Sequence, residues 1–408
     1  MLRKPLPPEC IECGRAASGT CPYHMGQQRK ASPWPRLLRG GRRLLPIDGL
    51  LPAGYSLPPD VVVMLPTLRC DQTCPYCFQR SAHGIAAPAH CLNELGLADW
   101  KAIIAQVRPL KSHVIVMGGE LFLYPRALEL LAAIRDADLP LTVITNGMAL
   151  PDVATELANL GLQRLIVSID GPPAVNNRLR GHRQGFQRAA QGIDRVIAQR
   201  GVCPSPLVQV SCTISVHTQR HLRSFVQHMG PSGVDVIVLN NLIYATPTQV
   251  QAQGQALRQG WAAAQCNTAL NHGAVLGIDP TILQHELVAI RDGPWSERVL
   301  VAPPGSENHF RSYYAPHAPP FAGQRCTAIY RELWVLPNGD VAACGLINAV
   351  TMGNILESGL MAVWNGRSFR RFRQLLAQGL LPACVRCPKL SYHHPPLVHK
   401  AHRDQGLS

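Results

Sequence analysis

The sequence lacks any apolar stretch of about 18 residues, which excludes a membrane-spanning helix of ordinary length. No hydrophobic h-region follows its first residues, so we expect no secretory signal peptide. Acidic residues are scarce: 25 Asp and Glu stand against 39 Lys and Arg, and the formal net charge is +14. The densest basic run, Arg36–Arg43, contains no stacking aromatic side chain and no RNA-binding motif, so nucleic acid is not an expected partner.

Cysteine, by contrast, is abundant, with 14 residues in 408. In a protein that is not exported, this number indicates metal binding or redox chemistry rather than disulfides. We therefore expect a cytoplasmic protein that works in a reducing compartment. The chain is long enough for a large core and two or three domains.

Three of the cysteines, Cys70, Cys74 and Cys77, follow closely after a short apolar segment. Thiolates at spacings of four and three residues can bind three irons of a 4Fe–4S cluster, which normally takes four cysteines. The fourth iron would then be open to a ligand. A zinc site would require a fourth ligand nearby, and this polar run is unsuited to a buried core. The spacing therefore favours a catalytic cluster over zinc or three buried thiols.

Short apolar segments alternate with amphipathic segments between residues 61 and 270. The predicted strands are 61–65, 113–117, 141–145, 164–169, 207–214 and 234–239. Nearly continuous apolar strands separated by helices indicate a parallel sheet covered by helices. Six such units suit an α/β fold of the partial (β/α)6 barrel type, although a doubly wound open sheet would give the same pattern. In either fold, functional groups gather at the carboxyl ends of the strands.

Polar and glycine-rich sequences follow the predicted strands. Gly118–Glu120 follows the second strand; its glycines would let the backbone approach a ligand closely, and its carboxylate could accept hydrogen bonds from an ammonium group. Asn146 follows the third strand in a Thr-Asn-Gly turn. Ser168 and Asp170 lie at the end of the fourth and share one strand face, which fits a common pocket.

These motifs resemble those of the radical S-adenosylmethionine (SAM) enzymes, whose signature is C-x3-C-x2-C with an aromatic residue before the last cysteine. Tyr76 occupies that place. The resemblance implies a partial barrel, SAM bound to the open iron by its amino and carboxylate groups, and reductive cleavage to a 5′-deoxyadenosyl radical that takes hydrogen from a substrate. The resemblance further implies that the following residues bind the cofactor: Tyr76, Gly118, Gly119, Glu120, Asn146, Ser168, Asp170 and Arg180.

The resemblance also implies a role for several of these residues. Glu120 would meet the SAM amino group, although Leu121 stands where the family usually has proline. Ser168 and Asp170 would lie near the ribose, and Arg180, rather than Arg178, would help to hold the carboxylate. The sequence identifies no catalytic acid or base.

A second set of four cysteines lies near the carboxyl terminus: Cys326, Cys344, Cys384 and Cys387. The Asn338-Gly339 pair predicts a β-hairpin that brings the first two together, and the last two form a C-x2-C pair. Four thiolates complete either a zinc site or a closed iron–sulfur cluster. The stretch resembles the SPASM/Twitch extension of radical SAM enzymes. Because no cysteine follows Cys387, it matches the shorter Twitch form with one auxiliary 4Fe–4S cluster.

A third Cys/His set, near the amino terminus, consists of Cys10, Cys13, Cys21 and His24. A segment this short cannot build a core, and zinc would fold it, whereas a third cluster or free thiols are the alternatives. The predicted domains are this knuckle in 1–50, the radical SAM core in 51–290, the auxiliary-cluster domain (a hairpin plus helices) in 291–390 and a tail in 391–408.

The sequence therefore predicts a radical SAM oxidoreductase with two 4Fe–4S clusters and SAM, reduced by a one-electron donor such as flavodoxin or ferredoxin. Its substrate would be a ribosomally synthesised peptide that it cross-links or oxidises. The alternatives are a dehydrogenase or epimerase of a small natural product such as an aminocyclitol, or a non-catalytic iron–sulfur carrier or activator. The substrate, the reaction outcome and the oligomeric state do not follow from the sequence.

Overall fold

The structure is a computed structural model of the chain and describes residues 51–77, 79, 93–201, 205–258, 260–261, 277–303, 306–315 and 325–390. The amino-terminal Cys/His set lies outside these residues. Within them one sheet is formed by β1 Val61–Met64, β2 His113–Val116, β3 Leu141–Thr145, β4 Arg164–Ser168, β5 Leu207–Ile214, β6 Val236–Asn241, β7 Val299–Ala302, β8 Glu332–Val335, β9 Asp340–Cys344 and β10 Ile347–Asn354.

The α-helices alternate with the parallel strands and then follow the hairpin strands. They are α1 Leu97–Val107, α2 Ala127–Asp136, α3 Leu150–Asn159, α4 Pro173–Arg180, α5 Gly185–Arg200, α6 Leu222–Met229, α7 Pro247–Arg258, α8 Pro280–Arg291, α9 Glu307–Tyr314, α10 Ile355–Ser358, α11 Leu360–Trp364 and α12 Arg367–Gln378. The six predicted strands are present as β1 to β6, each within two residues of its predicted ends.

The strand order decides between the two folds that the sequence left open. Strands β1 to β7 lie side by side in chain order, and each pair is parallel. A doubly wound sheet reverses its strand order at a switch point, and this sheet does not. The partial barrel is therefore confirmed and the doubly wound alternative was wrong. In the described part of the chain the sheet is open, with β7 and β10 at its edges.

Both faces of the parallel strands are covered, which explains their continuous apolar sequences. In β1, Val62 and Met64 belong to the main core, to which the buried faces of α1, α2, α3, α5 and α6 also belong. Val63 points to the other face, where it packs in a cluster with Leu65 and Trp334. An alternating pattern would have left one face of the sheet in water.

The carboxyl-terminal strands extend the sheet beyond β1. Strand β8 pairs in parallel with β1, and β9 and β10 follow in antiparallel order. The predicted hairpin is confirmed: its turn ends at Gly339, whose φ of +84° suits glycine. On the other side, β7 pairs with β6, so the sheet continues past residue 290. The predicted domain boundaries themselves stay predictions.

Candidate functional site

The predicted site residues meet at one edge of the sheet. The segment with Cys70, Cys74 and Cys77 follows the carboxyl end of β1, Glu120 follows β2, Asn146 follows β3 and Asp170 follows β4. Because these strands are parallel neighbours, their carboxyl ends lie together. We call residues 70–77 the cluster loop.

Each residue between the first two cysteines of the cluster loop is bonded to a neighbouring element. Asp71 accepts a hydrogen bond from the Asn146 amide (2.6 Å). Gln72 accepts one from Arg180 (3.1 Å), and the Thr73 N–H donates to the Arg180 carbonyl oxygen (3.0 Å). The ends of β3 and α4 thus hold this part of the loop in place. Gln72 was not among the residues predicted from the sequence, and its polar side chain is almost fully buried.

The two glycines after β2 pack directly against the start of this segment. A Cβ atom at Gly118 would lie 2.3 Å from the Thr67 carbonyl oxygen, and one at Gly119 would lie 2.1 Å from that of Arg69. The Gly119 N–H donates to Thr67 (2.9 Å), and the next N–H donates to Arg69 (2.7 Å). The glycines are therefore required by a close approach of two backbone segments, a reason that differs from the ligand approach inferred from the sequence.

The carboxylate of Glu120 is buried between β2 and β3. It accepts hydrogen bonds from the Thr145 hydroxyl (2.7 Å), the Asn146 N–H (2.7 Å) and the Phe122 N–H (3.3 Å). Burial raises the pKa of the carboxyl group to about 7, although these donors act to lower it. Since Asn146 also binds Asp71, it links the carboxylate of Glu120 to the cluster loop. Thr145 was not among the predicted residues.

Asp170 and Arg180 form a buried ion pair behind the cluster loop. The Arg180 guanidinium donates to one carboxylate oxygen of Asp170 (2.5 Å), and the Thr213 N–H donates to the other (2.7 Å). Both side chains are almost inaccessible to water. The sequence placed these residues at the ribose and the carboxylate of SAM. In the structure they bind each other and the loop, and their contact with SAM stays a prediction.

Two further predicted residues, Tyr76 and Ser168, carry hydroxyl groups near this edge of the sheet. Tyr76 is 7% exposed, and its hydroxyl has no hydrogen-bond partner among the described residues. Ser168 is half-buried at the end of β4, next to Ser211 of β5, and its hydroxyl has no partner within the same residues. The Tyr76 hydroxyl is a buried polar group without a partner among the described residues, and a polar ligand at this edge would account for it.

Burial acts against ionisation of two thiols of the cluster loop, those of Cys70 and Cys74. Burial raises the pKa of Cys74 to about 12, and the Arg180 guanidinium offsets only part of this. Burial also raises the pKa of Cys70, whose sulfur accepts a hydrogen bond from the Gln72 N–H (3.4 Å). Bound iron would supply the positive charge that deprotonates such thiols. N–H groups that point at a sulfur are a usual feature of iron–sulfur sites.

The second cysteine set comes together around the hairpin. Strand β9 runs opposite to β1, so Cys344 lies toward the amino-terminal end of β1, whereas Cys70 follows its carboxyl end. Burial raises the pKa of Cys384 well above its usual range, and the nearby thiols of Cys344, Cys326 and Cys387 raise it further. The Ile347 N–H donates to the Cys344 sulfur (3.3 Å).

A lysine lies beside these thiols and was not found from the sequence. The Lys389 ammonium contacts the carboxylate of Glu332 and lies 4.9 Å from the centre of the Trp334 ring. Burial raises the pKa of Cys387 to about 12, and the Lys389 charge acts in the opposite direction. A cation at this place favours the thiolate form that binds iron.

Three thiols in one set and four in the other are numbers that 4Fe–4S clusters can use. Among the described residues, no group of three or more Cys, His, Asp or Glu side chains is arranged to hold one ion. A 4Fe–4S cluster does not need such a group, because each cysteine binds a different iron. A 4Fe–4S cluster on the three-thiol loop would have one iron without a protein ligand, whereas the four-thiol set could supply a ligand to every iron.

Comparison with known families agrees with this arrangement. The model of the radical SAM superfamily matches residues 64–203, which contain the cluster loop and Glu120, Asn146, Ser168, Asp170 and Arg180. The model of an iron–sulfur cluster-binding domain, SPASM, matches residues 326–388, which contain the second cysteine set. The chain therefore contains a radical SAM domain and a SPASM domain. Its predicted family membership and its SPASM-type extension are thereby confirmed.

Individual relatives are distant. The Fe-coproporphyrin III synthase of Methanosarcina barkeri is 26% identical over 45% of this chain, and the match spans 44% of that relative, so less than half of its length. The PqqA peptide cyclase of Xanthomonas campestris pv. campestris (strain 8004) is 25% identical over 82% of this chain and 81% of its own. SuiB of Streptococcus suis, solved with S-adenosylmethionine, superposes with a TM-score of 0.57 at 16% identity, covering 88% of this chain and 78% of SuiB. That likeness supports the fold.

No helix in the described ranges combines the length and the apolar character needed to cross a membrane.

Proposed function

We propose that this protein is a radical SAM oxidoreductase that acts on a ribosomally synthesised peptide. The observation that carries the proposal is the joint placement of three thiols, Glu120 and Asn146 at the carboxyl ends of neighbouring parallel strands. When bound, the catalytic cluster would supply the electron that cleaves SAM and so produces the radical that takes hydrogen from the substrate. We keep the cytoplasm as the proposed compartment, because reduced thiols are maintained there.

In this proposal each residue of the site has a separate role. The cluster loop holds the cluster and leaves one iron for the SAM amino and carboxylate groups. Glu120 would accept hydrogen bonds from the amino group with the lone pairs that its three present donors leave free. Ser168 would offer its hydroxyl to the ribose, and the Tyr76 ring, which packs in an apolar cluster with Val175 and Leu179, would form part of the wall beside the cofactor. The auxiliary set would hold a second cluster able to accept an electron from the substrate radical.

A peptide substrate is favoured by the relatives. PqqA peptide cyclase aligns over most of both chains, and SuiB has been solved with its precursor peptide SuiA. The second candidate is oxidation or epimerisation of a small natural product. It is favoured by the size of the auxiliary set. Four thiols suffice for a single auxiliary cluster, which is the arrangement of the Twitch form.

Metal content tests the proposal first. After anaerobic reconstitution we expect about eight irons and eight sulfides per wild-type chain, and about four in Cys70→Ala/Cys74→Ala/Cys77→Ala. Alanine at the four auxiliary cysteines should also leave about four irons, and these should retain a SAM-dependent change in the EPR spectrum. A wild-type value near four that the first triple variant leaves unchanged would refute the catalytic cluster.

Substrate class is tested separately. A short precursor peptide encoded beside this chain should increase the formation of 5′-deoxyadenosine. Mass spectrometry of the peptide should show the loss of two hydrogen atoms for each cross-link. Stimulation by an aminocyclitol but not by the peptide would support the second candidate. Failure of the reduced protein to cleave SAM at all would instead indicate the non-catalytic carrier.

A further inference from the structure

The turn between α4 and α5 forms a basic surface directly against the cluster loop. The Thr73 N–H bonds to the last residue of α4, and a Cβ atom at Gly181 would lie 2.1 Å from the Thr73 hydroxyl oxygen. Thr73 and Pro75 of the loop are exposed, as are Arg178 at the end of α4 and Arg183 in the turn. We call these four residues the loop-side patch. At this patch the cluster loop reaches the protein surface.

The helix side of the patch carries charge of one sign, whereas the cluster loop contributes one exposed carboxylate, Asp71, which accepts a hydrogen bond from Asn146. Residues 171–193 contain four arginines and one histidine but no aspartate or glutamate. Two of the arginines are neutralised elsewhere: Arg180 pairs with Asp170, and Arg188 pairs with Asp152. In the part of the chain that the structure describes, Arg178 and Arg183 form no ion pair. The patch therefore presents two uncompensated positive charges to solvent.

Helix electrostatics explain only one of these two charges. Arg178 lies in the last turn of α4, where a cation stabilises a helix. Arg183 stands just before α5 begins at Gly185, where a cation is unfavourable. Its backbone is nevertheless held in place, because the Asn177 amide donates to the Arg183 carbonyl oxygen (2.7 Å). An exposed cation on a held backbone, at a place that helix stability disfavours, points to a role outside the fold.

We propose that the loop-side patch is the docking surface for an acidic one-electron carrier protein that reduces the catalytic cluster. This inference rests on the proposed function. One electron passes from the reduced flavin or iron–sulfur group of the carrier to the catalytic centre, and no bond is made or broken in that step. Opposite charges raise the encounter rate of two proteins by about 10-fold to 1,000-fold, and they orient the partners at the patch.

Charge reversal tests the proposal with reduced flavodoxin as the probe. The test variant is Arg178→Glu/Arg183→Glu, and the control with the same change of charge is Arg108→Glu/Arg367→Glu, two exposed sites on other elements. The readout is the rate at which the SAM-sensitive EPR signal of the reduced catalytic cluster appears. At low ionic strength we expect at least about a 10-fold loss of rate in the test variant and less than a twofold change in the control.

Two further measurements keep the result interpretable. With dithionite, a small reductant that needs no docking surface, all three proteins should reduce and cleave SAM at the same rate. Raising the ionic strength should slow the wild type toward the test variant, because salt screens the attraction. The proposed docking surface would be refuted if flavodoxin reduced the test variant as fast as the wild type, or if the control lost as much rate as the test variant. Absence of SAM cleavage by wild type with dithionite would instead refute the proposed function.

Discussion

The clearest structural prediction concerns Gly119→Ala. The new Cβ atom would lie 2.1 Å from the Arg69 carbonyl oxygen and 2.5 Å from that of Leu68, whereas ordinary contacts begin at 3.4 Å. The backbone just before the cluster loop must therefore retreat by about 1.3 Å, the difference between 3.4 and 2.1 Å. Backbone cannot rotate away as the end of a flexible side chain can.

The cost follows from that displacement. Overpacking costs about 1–3 kcal/mol, and the movement weakens two backbone hydrogen bonds of about 0.5–1.5 kcal/mol each, those from Gly119 to Thr67 and from Glu120 to Arg69. We expect a loss of about 2–6 kcal/mol in the free energy of unfolding. Iron content should fall from about eight toward about four, because the catalytic set is displaced and the auxiliary set is not.

A matched substitution separates this effect from that of an added methyl group. At Gly254, inside α7, the nearest atom to a new Cβ would be the end of Arg258 at 3.7 Å. Gly254→Ala should therefore stabilise the protein by about 0.5–1 kcal/mol and leave the iron content unchanged. Urea denaturation and iron analysis of both variants provide the test. Wild-type stability together with full iron binding in Gly119→Ala would refute the steric argument.

Buried charges lead to three further expectations. Asp170→Asn leaves the Arg180 guanidinium buried without its counter-charge and should cost about 3–5 kcal/mol in urea denaturation; adding Arg180→Met should recover part of that loss. The pKa of the Glu120 carboxyl group is about 7 in the folded protein and 4.5 in the unfolded chain. Its contribution to stability therefore decreases as the pH rises from about 4.5 to 7. The free energy of unfolding of Glu120→Gln should rise by up to about 3 kcal/mol relative to that of the wild type as the pH increases across that window. For His113 the pH dependence is reversed. Burial lowers its pKa from 6.5 to about 4, so the stability of the protein decreases as the pH falls through that range. The free energy of unfolding of His113→Gln should rise by up to about 3 kcal/mol relative to that of the wild type over the same range. Parallel pH profiles for either variant and wild type would contradict the corresponding assignment.

The fold was largely predictable because it depends on local patterns. The continuous apolar strands show that both faces are buried, and the Asn-Gly turn marks the hairpin. Strand order could not be read in this way, because a doubly wound sheet and a partial barrel have the same alternation of elements. It is decided by which strands pair, and the pairing of β8 with β1 joins residues about 270 positions apart, such as Val61 and Glu332.

The candidate site divides in the same manner. The cysteine spacings and the Gly-Gly-Glu sequence are properties of short segments, so the sequence identified them. The partners of those residues were not identifiable: Gln72 binds Arg180, 108 positions later. Lys389 acquires its significance beside the auxiliary thiols only through its contact with Glu332.

The type and spacing of the candidate ligands can be read from contiguous residues, so the sequence alone predicted a set of three thiols, a set of four thiols and a parallel α/β core. The packing of Gly119 against Arg69, the ion pair of Asp170 with Arg180 and the exposure of Arg183 became known only from the folded structure. Those outcomes depend on contacts between distant segments, and such contacts exist only once the strands have paired and the helices have packed on them.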